Sequence, residues 1–390
     1  MKNNIIITGG GTFNKGAQAM TFLVVDRLKK MFPNKNIVLF SQKEYYATNK
    51  DLYNFIFFPN DLKAYINAYS RVNIFKDKKT KNIKNSLINI LEDTAFNIDI
   101  SGFKLSSQFG IFSPLSFLLE RALMKRYKIP QYIFPQSFGP FDFSFPWSVI
   151  IKSMTRKYLK YPKIIYCREE KGYQYLSEFK LNNLKLSIDS VFYSKELDLE
   201  NIFKKIPEKR TFEISNNSVA IIPNENVLIH NKVNNIPLIY RDIIDELLSF
   251  NKKIYVFRHS SEDLDFCKDI KNQFSDNQNV ILLEEDLFCF ELLDLLSKFD
   301  YVIASRYHSI VHSYLNGVPA LLLGWSFKYE ELAKKFDQSS YFFDIRNKLS
   351  LDMLKSTLKN LNNNYIIEKE KITSKLEEIR QYEDIFLTIF

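Results

Sequence analysis

Glycine is scarce in this sequence: 10 residues in 390, where average usage of about 7% would give well over twice as many. Each glycine therefore marks a spot where the backbone needs freedom or close approach. Four stand in the opening loop GGGTFNKGAQ (Gly9 to Gln18); the others are Gly102, Gly110, Gly139, Gly172, Gly317 and Gly324. Cysteine is scarcer still. Cys167, Cys267 and Cys289 are widely separated, with no CxxC spacing, which excludes a zinc ribbon or a disulfide framework and suits a reducing compartment. No apolar run approaches the 18 or so residues of a membrane span, and the short N-terminal run meets glycines at once, unlike a signal peptide. The expectation is a cytoplasmic protein, with peripheral contact at the inner face of the membrane left open.

Two nucleotide motifs are missing from the opening loop. Gly11 and Gly16 have P-loop spacing after the strand-like Ile5 to Thr8, but Ala17 and Gln18 replace the Lys and Ser/Thr that reach phosphate and Mg²⁺. A dinucleotide fingerprint fails because Asn14 stands where its third glycine belongs. The net charge of +9 comes from scattered lysines, with short clusters such as KDKKTKNIK (Lys76 to Lys84). No basic stripe interleaves with aromatics, so a nucleic-acid binder is not indicated. The 35 Phe and 22 Tyr accompany a drift toward Ile, Asn and Lys and carry no functional weight.

What is present is the composition of an ordinary globular chain, 46% hydrophobic and 25% charged, and its length suits two domains. Apolar runs at 219–222, 254–257, 280–283, 301–304 and 319–323 alternate with helix-like segments such as RDIIDELLSF (Arg241 to Phe250). Strand candidates in the first half are 5–8, 37–40, 98–101, 131–134, 164–167 and 186–188. Between the halves, residues 195–217 are polar, charged and proline-containing, a linker pattern. The expected fold is α/β: two Rossmann-like, doubly wound domains, 1–200 and 201–390, facing a cleft, with ligands beyond the carboxyl ends of the strands.

The densest functional candidate is YVIASRYHSIVHSYLNGVPALLLGWSFKYEEL (Tyr301 to Leu332). Ser305 follows a strand and is placed to cap a helix over about Tyr307 to Asn316, ended by Gly317 and Pro319. Arg306 and His308 then sit at a helix N-terminus, which attracts an anion; Arg306 adds a bidentate partner and His308 a proton-transfer group. His308 and His312, at i and i+4, lack the glutamate and third ligand of a zinc site, so no metal is implied. Lys328, after the next strand, is a candidate second cation. Elsewhere, Arg168 leaves a strand beside Glu169 and Glu170, Arg258 and His259 precede a helix, and Gln136 and Ser137 open a turn able to hydrogen-bond a polyol.

In this order, the segments resemble the polysaccharide pyruvyl transferase family: Asn14 and Gly16; Ser101-Gly102-Phe103; Gln136-Ser-Phe-Gly139-Pro140; Arg168-Glu169; Asp189; Arg306-Tyr-His308; Gly317-Val-Pro319; and Lys328. The resemblance implies a GT-B-like fold and transfer of pyruvate from phosphoenolpyruvate to a sugar of a cell-surface polysaccharide or its precursor, forming a cyclic ketal. It implies that His308 is the acid/base, that Arg306, Arg168, Lys328 and Ser305 hold the donor, with Arg258, His259 and His312 as further candidates, and that Asn14, Gly16, Gln136 and Ser137 line the acceptor side. The implied partners are phosphoenolpyruvate and a glycan or lipid-linked glycan, with no cofactor, no metal and no nucleic acid. Ala17, where the family has an acid, and the glycine-poor 101–110 loop depart from the pattern and leave the acceptor open. A nucleotide-sugar glycosyltransferase on the same architecture, with Glu330 or Glu331 at the ribose, is the alternative; a non-catalytic scaffold is a more distant one.

Overall fold

Parallel strands buried on both faces read as continuous apolar runs rather than alternating ones, and the most apolar runs of this chain are its central strands. The computed structural model describes residues 2–194 and 196–389; Lys195, where the expected linker begins, and the two chain ends lie outside the described residues. The chain forms two units, Met1–Thr12 with Met20–Pro207 and Glu383–Phe390, and Phe13–Ala19 with Glu208–Tyr382.

The first unit carries β1 (Asn4–Thr8), β2 (Asn36–Phe40), β3 (Ile56–Phe58), β4 (Thr94–Asp99), β5 (Gln131–Gln136), β6 (Ile164–Cys167) and β7 (Leu184–Leu186) in the order β3-β2-β1-β4-β5-β6-β7. The second carries β8 (Ser218–Ile222), β9 (Lys253–Phe257), β10 (Val280–Leu283), β11 (Tyr301–Ala304), β12 (Ala320–Gly324) and β13 (Phe342–Asp344) in the order β10-β9-β8-β11-β12-β13. All the pairings are parallel. Both orders reverse direction beside the first strand, between β1 and β4 and between β8 and β11, and the carboxyl edge at such a reversal is where doubly wound folds bind ligands.

Two parallel-sheet α/β units are what the strand-then-helix alternation predicts. The misses have local causes. Three-residue β3 and β13 sit at sheet edges and are too short to show a pattern. The strand expected at 98–101 begins at Thr94 because Asn97, polar yet fully buried, interrupts the apolar run. Its amide donates to the Ile6 carbonyl at 3.1 Å. The expected linker is partly packed: Ile202 and Phe203 are buried, and the Phe203 ring meets Phe22 and Tyr53, each at 5.4 Å. After the 30-residue helix Leu351–Arg380, the chain ends in a 3-10 turn, Ile385–Ile389, whose Phe386 ring packs on Phe134 of the first unit at 5.0 Å.

Candidate functional site

At the carboxyl edge of the second sheet, β8, β9, β11 and β12 each deliver side chains to one cavity of about 130 Å³, room for about four waters at roughly 30 Å³ each. Asn224 follows β8, His259 follows β9, Arg306 and His308 follow β11, and Trp325 and Lys328 follow β12. Asn14 also reaches the wall.

The helix after β11 spans Tyr307–Leu315, and its N-cap residue is Arg306 rather than Ser305. Ser305 is fully buried and locks the strand end: its hydroxyl pairs with the Tyr240 hydroxyl at 3.0 Å, and its carbonyl accepts from Asn224 Nδ2 at 3.0 Å and Tyr329 Oη at 3.1 Å. Gly317, in the left-handed region at φ 70°, ends the helix by donating to the Tyr314 carbonyl at 2.9 Å. His308 therefore lies in the first turn, where backbone N–H groups have no intrahelical partners and the dipole favours an anion.

Arg306 is already engaged. Its Nε and Nη2 donate to the two Asp263 carboxylate oxygens at 2.7 and 2.6 Å, and Nη2 also meets Glu262 Oε1 at 2.6 Å. Burial works against the guanidinium charge, but the hydrogen bonds and charges of Asp263 and Glu262 prevail and hold its pKa above the ordinary value. Arg306 also lines the cavity.

The Lys328 ammonium sits over three rings, Trp325 at 5.2 Å, Tyr307 at 5.3 Å and Tyr329 at 5.4 Å. This is a fixed cation in an aromatic setting. His230 stacks flat on Trp325 with centroids 3.9 Å apart, and burial, with Lys328 and Arg346 nearby, pushes its imidazole pKa down. His259 Nε2 lies 3.3 Å from His312 Nδ1, both side chains buried. Burial and the charges of His312, His308, Arg306 and Lys15 hold His259 well below the ordinary histidine value. All four histidines of the chain thus gather around this edge. Two wall atoms, Trp325 Nε1 and His259 Nδ1, are buried without a hydrogen-bond partner among the described residues, which marks the cavity as built for polar contents.

The opening loop joins the same unit. Asn14 Oδ1 accepts from the Gly16 and Ala17 amides at 3.0 and 3.3 Å, capping the helix Lys15–Met31. Lys15 pairs with Asp286 at 2.7 Å, and Gln18 Oε1 accepts from the Cys289 amide at 2.7 Å. Gly16 lies against His308: a Cβ there would come within 2.2 Å of the imidazole Cγ and Nδ1. This glycine is needed for close approach, with no positive φ involved.

The structure therefore brings Asn14, Gly16, His259, Arg306, His308, His312 and Lys328 together in the second unit, with Ser305 behind them. Arg258, half-buried after β9, is not in the cavity wall. Gln136, Ser137 and Arg168 belong to the first unit, in a buried network at the ends of β5 and β6. There, Arg168 binds Asp189 and Glu169, each at 2.7 Å, and donates to Ser137 Oγ at 3.0 Å, while Gln136 donates to Asp99 at 2.8 Å. Another hollow in the first unit, about 200 Å³ beside Lys29 and Tyr53, has neither histidine nor carboxylate in its wall. Among the described residues no group of three or more His, Cys, Asp or Glu could hold a metal ion, and no helix is long and apolar enough to cross a membrane. Sequence reasoning missed Asn224 and Trp325; each follows its strand within two residues, and Trp325 is one of only two tryptophans.

The model of one family, polysaccharide pyruvyl transferase, matches residues 14–327. The chain belongs to this family, a family of transferases. No curated protein is significantly similar to it in sequence. Among solved structures it resembles UDP-GlcNAc 2-epimerase from Methanocaldococcus jannaschii, at 12% identity over 98% of this chain and 94% of that one, TM-score 0.55. It also resembles Medicago truncatula UGT71G1 complexed with UDP-glucose, at 10% identity over 99% and 97%, TM-score 0.57, and Neisseria meningitidis UDP-GlcNAc 2-epimerase bound to UDP-GlcNAc, at 14% over 98% and 95%, TM-score 0.52. At these identities the likeness defines the fold alone, which is GT-B-like.

Proposed function

We propose that the protein transfers the pyruvyl group of phosphoenolpyruvate to two hydroxyls of a sugar in a polysaccharide or its precursor, forming a cyclic ketal and releasing phosphate. The observation that carries this reading is the convergence of the His308 imidazole, the Lys328 ammonium and a helix N-terminus on one small cavity. The donor bears a phosphate and a carboxylate, and a fixed cation beside the positive end of a helix dipole matches both.

In this mechanism His308, protonated, gives its proton to the methylene carbon of the donor. The enol double bond becomes a methyl group, and the central carbon becomes electron-poor. One sugar hydroxyl adds to that carbon and returns a proton to the imidazole. The bond from central carbon to phosphate oxygen then breaks, and a second hydroxyl closes the ketal, passing its proton to the departing phosphate. Gly16 and Tyr307 hold the imidazole in place, the Tyr307 ring meeting it edge-on at 5.3 Å. Lys328 and the positive end of the helix dipole meet the donor charge, while Arg306 stays committed to Asp263 and Glu262.

The test is to incubate the protein with phosphoenolpyruvate and a panel of glycan and lipid-linked glycan acceptors, following phosphate release and the new ketal methyl signal by NMR. Acceptor-dependent release with that signal is expected. Thermal protection by a UDP-sugar but not by phosphoenolpyruvate, with no phosphate released, overturns the reading in favour of a nucleotide-sugar glycosyltransferase.

A further inference from the structure

The first unit has a surface that the transfer chemistry does not use. From Phe143 to Cys167 the sequence contains no acidic residue, and it carries five exposed cations: Lys152, Arg156, Lys157, Lys160 and Lys163. Its middle is the 12-residue helix Trp147–Tyr158. Its inner face buries Ile151, Thr155 and Tyr158. At 100° per residue, its outer face presents Val149, Ile150, Lys152, Arg156 and Lys157. The face is divided along its length, apolar at the N-terminal turn and basic beyond.

The apolar end is larger than the helix. Phe145, just ahead of it, is 84% exposed, Val149 is 61% exposed, and Phe112 at the start of the helix Phe112–Arg126 is 72% exposed. The loops bearing these residues are tied together: the Ser107 amide donates to the Pro140 carbonyl at 2.9 Å, and the Asp142 amide donates to Ser107 Oγ at 3.2 Å. Leu115, Phe143 and Trp147, neighbours of these side chains in sequence, pack on one core cluster beneath. Large aromatics in water beside five cations with no acid between them are costly for a surface that stays solvated. Basic side chains flanking exposed Phe and Val are what an interfacial helix presents to anionic headgroups and the acyl boundary.

We propose that this surface, the outer face of Trp147–Tyr158 with Phe112 and Phe145, docks the protein on an anionic lipid bilayer. Charge complementarity selects that occupant: a neutral protein partner would leave five cations unmatched, and a nucleic acid would leave Phe145 and Val149 in water. The surface lies outside the donor cavity, so vesicle binding and pyruvyl transfer are read by separate assays and each can fail alone.

The experiment is co-sedimentation of the full chain with vesicles of phosphatidylcholine alone and of equal parts phosphatidylcholine and phosphatidylglycerol, at low and high salt. Binding to the mixed vesicles only, weakened by salt, is expected. Each surface cation near anionic lipid contributes about 1 kcal/mol, so Lys152→Gln, Arg156→Gln and Lys157→Gln together weaken binding on the order of a hundredfold. The pair Phe145→Ser and Val149→Ser also weakens it. All these side chains are exposed, and an unchanged Tm confirms folding. The proposal fails if the wild type does not sediment with the mixed vesicles, or if the serine pair binds them as well as wild type, which is plain electrostatic adsorption. It fails too if the wild type is a dimer that the serine pair converts to monomer, because a second copy then covers the patch.

Discussion

Six strands run in the same order in the two sheets, the first adding β7 at its edge, yet their carboxyl edges differ. In the first unit the edge is filled by paired charge. Arg121, fully buried, binds Asp99 at 2.7 Å and donates to Thr8 Oγ1 at 2.9 Å, while Arg168 is held between Asp189 and Glu169. In the second, side chains from four strand ends surround a cavity, and all four histidines lie at or behind its wall. The same topology can thus close its switch point with ion pairs or leave a cavity there.

The first edge should break hardest. Arg121→Met keeps the bulk of the side chain but strands the buried Asp99 carboxylate, and removing one partner of a buried pair costs roughly 3–5 kcal/mol. Chemical denaturation reads this directly, and a loss below 1 kcal/mol would show the network to be dispensable. The second edge should break in the opposite way. His308→Gln removes the proposed acid/base from a half-buried position, and turnover should fall by roughly a hundred- to ten-thousandfold with Tm unchanged. Wild-type turnover would move the proton transfer to another residue. Gly16→Ala falls between these. Its added Cβ has no room beside His308; overpacking of this kind typically costs about 1–3 kcal/mol. Displacement of the imidazole should lower kcat by about tenfold or more, and an unaltered kcat together with an unaltered Tm would mean that the contact is relieved without consequence.

Legibility in the sequence follows the same divide. β8, β9, β11 and β12 stand out because burial on both faces leaves them almost wholly apolar. The Arg306-Tyr-His308 step was legible because a strand end, a helix start and a Gly-Pro stop bracket it within a few residues. The Asp263 pairing of Arg306 was not, since the partners are 43 residues apart and ion pairing has no periodic signature. Nor was the reason for Gly16. Its loop had the spacing of a phosphate cradle, but the neighbour that requires a glycine is His308, near the other end of the sequence. The segment TAFNID hid the start of β4 for a related reason: its Asn97 and Asp99 are buried beside Ile6, Thr8 and Arg121, which bond to them.

Acid separates the two edges most gently. Burial alone would raise the Asp99 carboxyl, but the charge and hydrogen bond of Arg121, with Lys104 and Thr8, hold it below the usual value. Its contribution is therefore complete above the unfolded value of about 3.9 and is lost only as pH falls through the still lower folded one. His259 behaves differently. The fold keeps it neutral, by burial and by the facing His312, His308, Arg306 and Lys15, whereas the unfolded chain takes up a proton below about pH 6.5. The unfolded state then binds more protons, so stability declines as pH falls from about 6.5, by up to about 1.4 kcal/mol per pH unit from this group. His259→Gln removes that titration. Its curve of Tm against pH should be flatter than wild type between about pH 6.5 and 5 and parallel to it above pH 7, with the Asp99 decline at lower pH retained in both. Parallel curves throughout would mean that His259 is not held neutral, and the contrast between a charge-paired edge and a neutral-histidine edge would lose its clearest thermodynamic mark.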